Sequence, residues 1–143
     1  MKLLKLITWD NCEYEMQDAL AIWLRKSKIK FQKEVHVSDI HRRADFIAFK
    51  GGNGLINIEA KYSDFNCLIR QMKDHATYCD YSFAFIPDTV LTSKFFKKEL
   101  LSNGFGLIVY NCREKIITEV LEAHYNKPKN KELKKRISNL IRS

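Results

Sequence analysis

Three residues near the middle of the chain have the types and spacing for chemistry on a phosphate: Asp45, Glu59 and Lys61. Glu59 and Lys61 interrupt "GLINIEAKYSD" (Gly54 to Asp64), which otherwise reads as a buried strand. Successive strand side chains point to opposite faces, so Ile56, Ile58 and Ala60 share one face and Asn57, Glu59 and Lys61 the other. Packing of the apolar face would hold the polar face rigid. Asp45 precedes Glu59 in "RRADFIAF", with the hairpin signal "GGNG" (Gly51 to Gly54) between them. A three-residue loop, Gly51-Gly52-Asn53, pairs Lys50 with Gly54 and brings Asp45 opposite Glu59, with Cβ atoms roughly 4.5–5.5 Å apart. A two-residue loop would put the carboxylates on opposite faces. Glycine and asparagine suit the left-handed position that the longer loop requires, so the first register is expected.

Two carboxylates held that close repel each other, and a hard divalent cation, Mg²⁺ or Mn²⁺, relieves the repulsion. The main-chain carbonyl of Ala60, between the two charged residues, is a further candidate ligand. Lys61 is placed to orient an attacking water, help deprotonate it, or stabilise charge developing at phosphorus. Together these form a working set for phosphodiester hydrolysis. A lone Glu-x-Lys is short and common, and by itself favours a surface ion pair on a sheet face open to water, with Asp45 only a turn residue. The preceding Asp, the hairpin, the first helix and the basic charge of the chain favour the reactive reading.

The elements that must position these residues follow from periodicity. Asp10 stands three residues before Glu13, a capping-box spacing, and Cys12, Met16, Ala19, Leu20, Trp23 and Leu24 recur at helical spacing. Strands are expected at Phe31 to Val37, from about Ala44, and over the stretch that holds Glu59. Asp64 can cap a second helix with Phe65, Leu68, Ile69, Met72, Ala76 and Cys79 as its apolar stripe. "YSFAFI" is a short strand. "TSKFFKKELLSNG" is a helix capped by Thr92 or Ser93 and stopped at Gly104, and "FGLIVY" is another strand. "REKIITEVLEAHY" mixes signals and is assigned to a strand. A helical tail follows from Lys127. Hairpin-linked strands followed by strand–helix alternation imply an α/β domain, a central mixed sheet with helices on both faces.

The totals agree with such a domain. At 143 residues the chain is expected to form one domain over 1–143, with 127–143 as a basic helical tail. An apolar fraction of 45% places it among globular proteins. Twenty-five Lys and Arg against 17 Asp and Glu leave a net charge of +8, which favours a polyanionic partner, nucleic acid first and an anionic membrane surface second. Cys12, Cys67, Cys79 and Cys112 form no Cys-x-x-Cys pair, so reduced thiols are expected rather than a disulfide scaffold or zinc knuckle. The start is a poor signal peptide and no apolar run is long enough to cross a bilayer, so an intracellular, cytoplasmic protein without membrane association is expected.

With Asp45 and "EAK" (Glu59-Ala60-Lys61) in place, the chain resembles the PD-(D/E)xK nuclease superfamily, whose restriction-endonuclease-like core is helix, three-stranded meander, helix and strand. The Pro that usually precedes the Asp is Ala44 here. More narrowly, "HRRADFIAF…INIEAKYSDF…YCDYSFAFIP" is similar to small bacterial DNA-repair nucleases of the MmcB type, over about Glu34 to Pro87. The resemblance implies Mg²⁺-dependent cleavage of DNA, with Asp45 and Glu59 as metal ligands and Lys61 beside the nucleophilic water. A further acidic residue often joins such sites. Glu34 stands at a spacing like that of the MmcB type, and Glu13 at the place used by archaeal Holliday junction resolvases. Some members carry Gln-x-x-x-Tyr on the second helix; Gln71, His75 and Tyr78 match it in part, which makes Gln71 a candidate for contacting the phosphate or the water.

For holding DNA, Arg42 and Arg43 lie just before Asp45, Arg70 and Lys73 flank Gln71, and the tail offers Lys134, Lys135 and Arg136 among its cations. A charge run is as often a solvated helix face. His36, His41, His75 and His124 lack metal-ligand spacing and read as surface or packing residues. Three functions compete: a DNA endonuclease of repair, recombination or mobile-element processing, a nucleic-acid-binding module that no longer cuts, and a homodimeric resolvase of branched DNA.

Overall fold

The computed structural model describes residues 15–52, 54–90 and 93–143. Helix α1 covers residues 15–26 and is followed by the strands β1 (Lys30–Val37), β2 (Arg42–Lys50) and β3 (Gly54–Ala60). Then come α2 (Phe65–His75), β4 (Tyr81–Pro87), α3 (Lys94–Ser102), β5 (Gly106–Asn111), β6 (Ile116–Leu121) and α4 (Lys131–Arg142). The six strands lie in sequence order in one sheet. β1, β2 and β3 form an antiparallel meander, β3–β4 and β4–β5 run parallel, and β6 returns antiparallel on β5. The two parallel steps are the ones bridged by α2 and α3, as parallel neighbours require a crossover. This is the mixed α/β sheet expected from the sequence.

Each face has its own helical cover. Met16, Leu20 and Leu24 of α1 pack with Phe46, Ile58, Ala60, Phe85 and Ile108 on one side. On the other, α2 and α3 bury Leu68, Met72, Phe96 and Leu100 against Ala84, Ile86 and Leu107. Beside them Leu133, Ile137 and Ile141 of α4 cover Val35, Val37, Ala44, Ile47 and Leu55. Trp23, expected in the apolar stripe of α1, is 41% exposed instead. Asp64 caps α2 through Cys67 N, and Ser93 caps α3 through Phe96 N. α4 begins later than Lys127: Asn130 caps it by accepting from Leu133 N, and the chain from 122 to 130 runs without regular structure. Cys67 and Cys79 are free thiols, whereas Cys112 is disulfide-bonded. Pairing depends on approach in space, which spacing along the chain does not encode.

α4 is fastened at its first turn. Asp80, 2% exposed, accepts from Leu55 N at 2.7 Å and from Lys134 Nζ at 2.8 Å. Asn126 and Asn130 tie the preceding segment to the α2–β4 loop. Lys134 therefore serves the fold. Lys134→Met is expected to lose about 1–3 kcal/mol of stability in urea melts, because a buried carboxylate is left short of its partner; an unchanged midpoint would refute that role.

Candidate active site

β2 and β3 pair in the expected register. Lys50 faces Gly54 and Phe46 faces Ile58, so Asp45 is the next residue opposite Glu59. The ladder ends there, and the two side chains replace its rungs. Asp45 N donates to Glu59 Oε2 at 2.8 Å, while Ala60 N donates to Asp45 Oδ2 at 2.9 Å. Inside–outside alternation also slips at this point, since Ala44 packs with the α4 cluster and Phe46 with the α1 cluster. Across β2, Glu34 stands between the pairs Lys33–Phe46 and Val35–Ala44, with φ at 53°. The slip is what lets Asp45 reach the end of β3.

The electrostatics follow from burial. Glu59 is 1% exposed and Asp45 is largely covered. Burial, then the Glu59 charge, push the Asp45 carboxyl up to about 7; Ala60 N and the Lys61 ammonium act in the opposite sense. The effect of Lys61 on Asp45 puts its charge within electrostatic reach of the pair. Glu59 Oε1 lies 3.0 Å from His75 Nε2, but off the line of a hydrogen bond, so both atoms are buried without a well-formed one. The same is true of Asn57 Oδ1 nearby on β3.

These features fit a hard cation. One carboxylate has an orphaned buried oxygen, and the other is held toward neutrality by burial and by its neighbour, with Lys61 opposing that shift. Among the described residues no three His, Cys, Asp or Glu side chains are arranged to hold a metal together. Mg²⁺ suits such a sparse set, since it is typically held by one or two carboxylates and keeps several waters. Asp45, Glu59 and the Ala60 carbonyl are the groups that would hold it.

The other candidates separate. Glu34 shares the cross-strand row with Asp45 and Glu59 but is exposed. Gln71 is half-buried on α2, one turn before His75. Glu13 lies outside the described residues. Of the cations, Arg43, Arg70, Lys73 and Lys135 are open to solvent. Arg42 is tied to Asp74 at 2.8 Å, Lys134 to Asp80, and Arg136 to Asp39 at 2.6 Å. Three cations selected for DNA thus already have carboxylate partners. His75, read as a surface or packing residue, is fully buried, and what the sequence did not reveal is its approach to Glu59. Its place four residues after Gln71, on the face that carries Leu68 and Met72, was the available signal.

Among solved structures, the chain is similar to a protein of unknown function from Silicibacter pomeroyi, at 19% identity and a TM-score of 0.59, covering 83% of this chain and 75% of that one. An XisH family protein from Nostoc punctiforme matches at 14% and 0.54, over 79% of this chain and 99% of that one. An fdxN element excision controlling factor protein from Anabaena variabilis matches at 14% and 0.54, over 79% and 98%. At these identities the likeness speaks for the fold, a restriction-endonuclease-like α/β core. No family model matches the sequence, and no curated protein does. No helix of the described residues is long and apolar enough to cross a membrane.

Proposed function

We propose that this chain is a divalent-metal-dependent deoxyribonuclease that hydrolyses phosphodiester bonds. The observation that carries the reading is the interlocked pair of Asp45 and Glu59 at the end of the β2–β3 ladder, with the charge of Lys61 acting on it. When bound, Mg²⁺ or Mn²⁺ would neutralise the two carboxylates and polarise the scissile phosphate. Asp45 and Glu59 would hold it, together with the Ala60 carbonyl. Lys61 orients the attacking water and stabilises the negative charge that grows on the phosphate oxygens. Arg43, Arg70, Lys73 and Lys135, all exposed, draw the DNA backbone to the protein and make its affinity fall steeply with salt. One structural neighbour is an fdxN element excision controlling factor protein, which favours mobile-element processing over repair as the setting.

The test is a cleavage assay on plasmid, single-stranded and four-way-junction DNA with Mg²⁺, Mn²⁺ or chelator. Wild type is expected to cut at least one substrate with metal and none with chelator. Glu59→Gln and Lys61→Met should each slow cutting by about a hundred- to a thousandfold while DNA binding persists. DNA bound but uncut under every condition would replace this reading with a binding module on the same fold. Cutting of the junction alone, by a dimer, would specify a resolvase.

A further inference from the structure

Behind Glu59 runs a line of buried polar groups that the cleavage chemistry does not itself use. His75, Tyr78 and Cys79 are each fully buried, and Glu59 is nearly so. The Tyr78 hydroxyl meets His75 Nδ1 at 2.5 Å. On the far side of the imidazole, Nε2 stands 3.0 Å from Glu59 Oε1. His75 and Tyr78 come from the last turn of α2 and the turn after it, and both follow from helix spacing: they lie three residues apart.

We propose that His75 is a positioning residue for Glu59: pinned by the Tyr78 hydroxyl, its imidazole holds the Glu59 carboxylate in the orientation that meets Asp45. This rests on the nuclease reading for its purpose, though not for its geometry. A buried carboxylate needs partners for both oxygens. Oε2 has the Asp45 amide, and among the described residues Oε1 has the His75 ring at 3.0 Å and no hydrogen bond. Burial pushes the Tyr78 hydroxyl and the Cys79 thiol well above their ordinary ranges, so both keep their protons. The Glu59 carboxylate beside Nε2 can only accept, so the ring proton belongs on Nε2 and Nδ1 accepts from the Tyr78 hydroxyl. Because the 3.0 Å approach lies off the line of a hydrogen bond, the ring restrains Oε1 without saturating it, and the oxygen remains available to a cation. Partners of this kind behind a ligand typically contribute about ten- to a hundredfold in metal affinity.

The experiment compares His75→Ala, His75→Gln and Tyr78→Phe with wild type in the full chain. Three readouts are taken: exchange of the Asp45 amide by NMR without metal, Mn²⁺ affinity by calorimetry, and the nitrogen signals of Mn²⁺ electron resonance. In His75→Ala and Tyr78→Phe the Asp45 amide, which donates to Glu59, should exchange at least about tenfold faster than in wild type, relative to amides in β5. Mn²⁺ affinity should fall about ten- to a hundredfold, and His75→Gln, whose amide can still donate to Oε1, should restore most of both. The proposal is overturned if the Asp45 amide and Mn²⁺ affinity are unchanged in both variants, which makes His75 core filler. It is equally overturned if Mn²⁺ shows directly bound imidazole nitrogen, which makes His75 a ligand. Should wild type bind no Mn²⁺ at all, the nuclease reading falls, while the metal-free exchange still decides the role of His75.

Discussion

Asp45→Asn is expected to abolish cleavage and to make the protein more stable. The loss follows from removing one of the two anionic groups that would hold the cation, and should amount to about a hundred- to a thousandfold or more in rate. The gain follows from the linkage between ionisation and folding. The Asp45 carboxyl is pushed up to about 7 by burial and by Glu59, against 3.8 as its ordinary value. Its proton is therefore held more tightly in the folded state. Stability associated with the neutral form is fully present below about pH 4 and is lost as the pH rises through 7. Asparagine has no proton to lose, and it keeps an oxygen for Ala60 N and gains a donor toward Glu59. The advantage of the variant should thus grow between pH 4 and 7, level off above, and by pH 8 have grown by on the order of 4 kcal/mol without metal, at about 1.4 kcal/mol per pH unit. Melting temperatures across that range check it. A variant less stable than wild type at pH 8 would show that the pair is not strained by charge.

Gly54→Ala should be among the most damaging changes to the fold. Gly54 has φ at 91°, and a Cβ there would sit 2.1 Å from Asp80 Oδ2. The carboxylate cannot step aside, since Leu55 N and Lys134 Nζ grip it from two directions. Positive-φ strain and the collision together should remove about 3 kcal/mol or more, enough to leave a marginal domain partly unfolded. Gly51 is the control: a Cβ there meets nothing within 4 Å, so Gly51→Ala should change stability by less than about 0.5 kcal/mol. Equal denaturation midpoints for the two variants would refute the argument.

The pair of facing carboxylates was legible because its determinants are local. Strand alternation, a glycine-rich loop and fixed spacing set the β2–β3 register, and no distant contact intervenes. The boundaries of α2 and α3 were legible for the same reason, from Asp64, Ser93 and Gly104. His75 was not, because its partner lies on another element and only the crossing of α2 over β3 joins them. The cations failed differently. Lys134 and Arg136 read as a free basic run, yet their carboxylate partners, Asp80 and Asp39, lie more than fifty residues away in the chain. The slip at Asp45 could not be read from the pattern "RRADFIAF", in which Ala44 and Phe46 look like neighbours on one face.

The paired main-chain-to-carboxylate bonds that end the β2–β3 ladder have a practical bearing on how null alleles are read. Asp45 and Glu59 stitch a seam as well as carrying charge, so truncating either to alanine would let the strands gape and shift Lys61 with them. A phenotype obtained that way would conflate a torn seam with missing chemistry. Isosteric Asn and Gln leave the stitches largely closed, and they are the substitutions from which a biological role can be inferred.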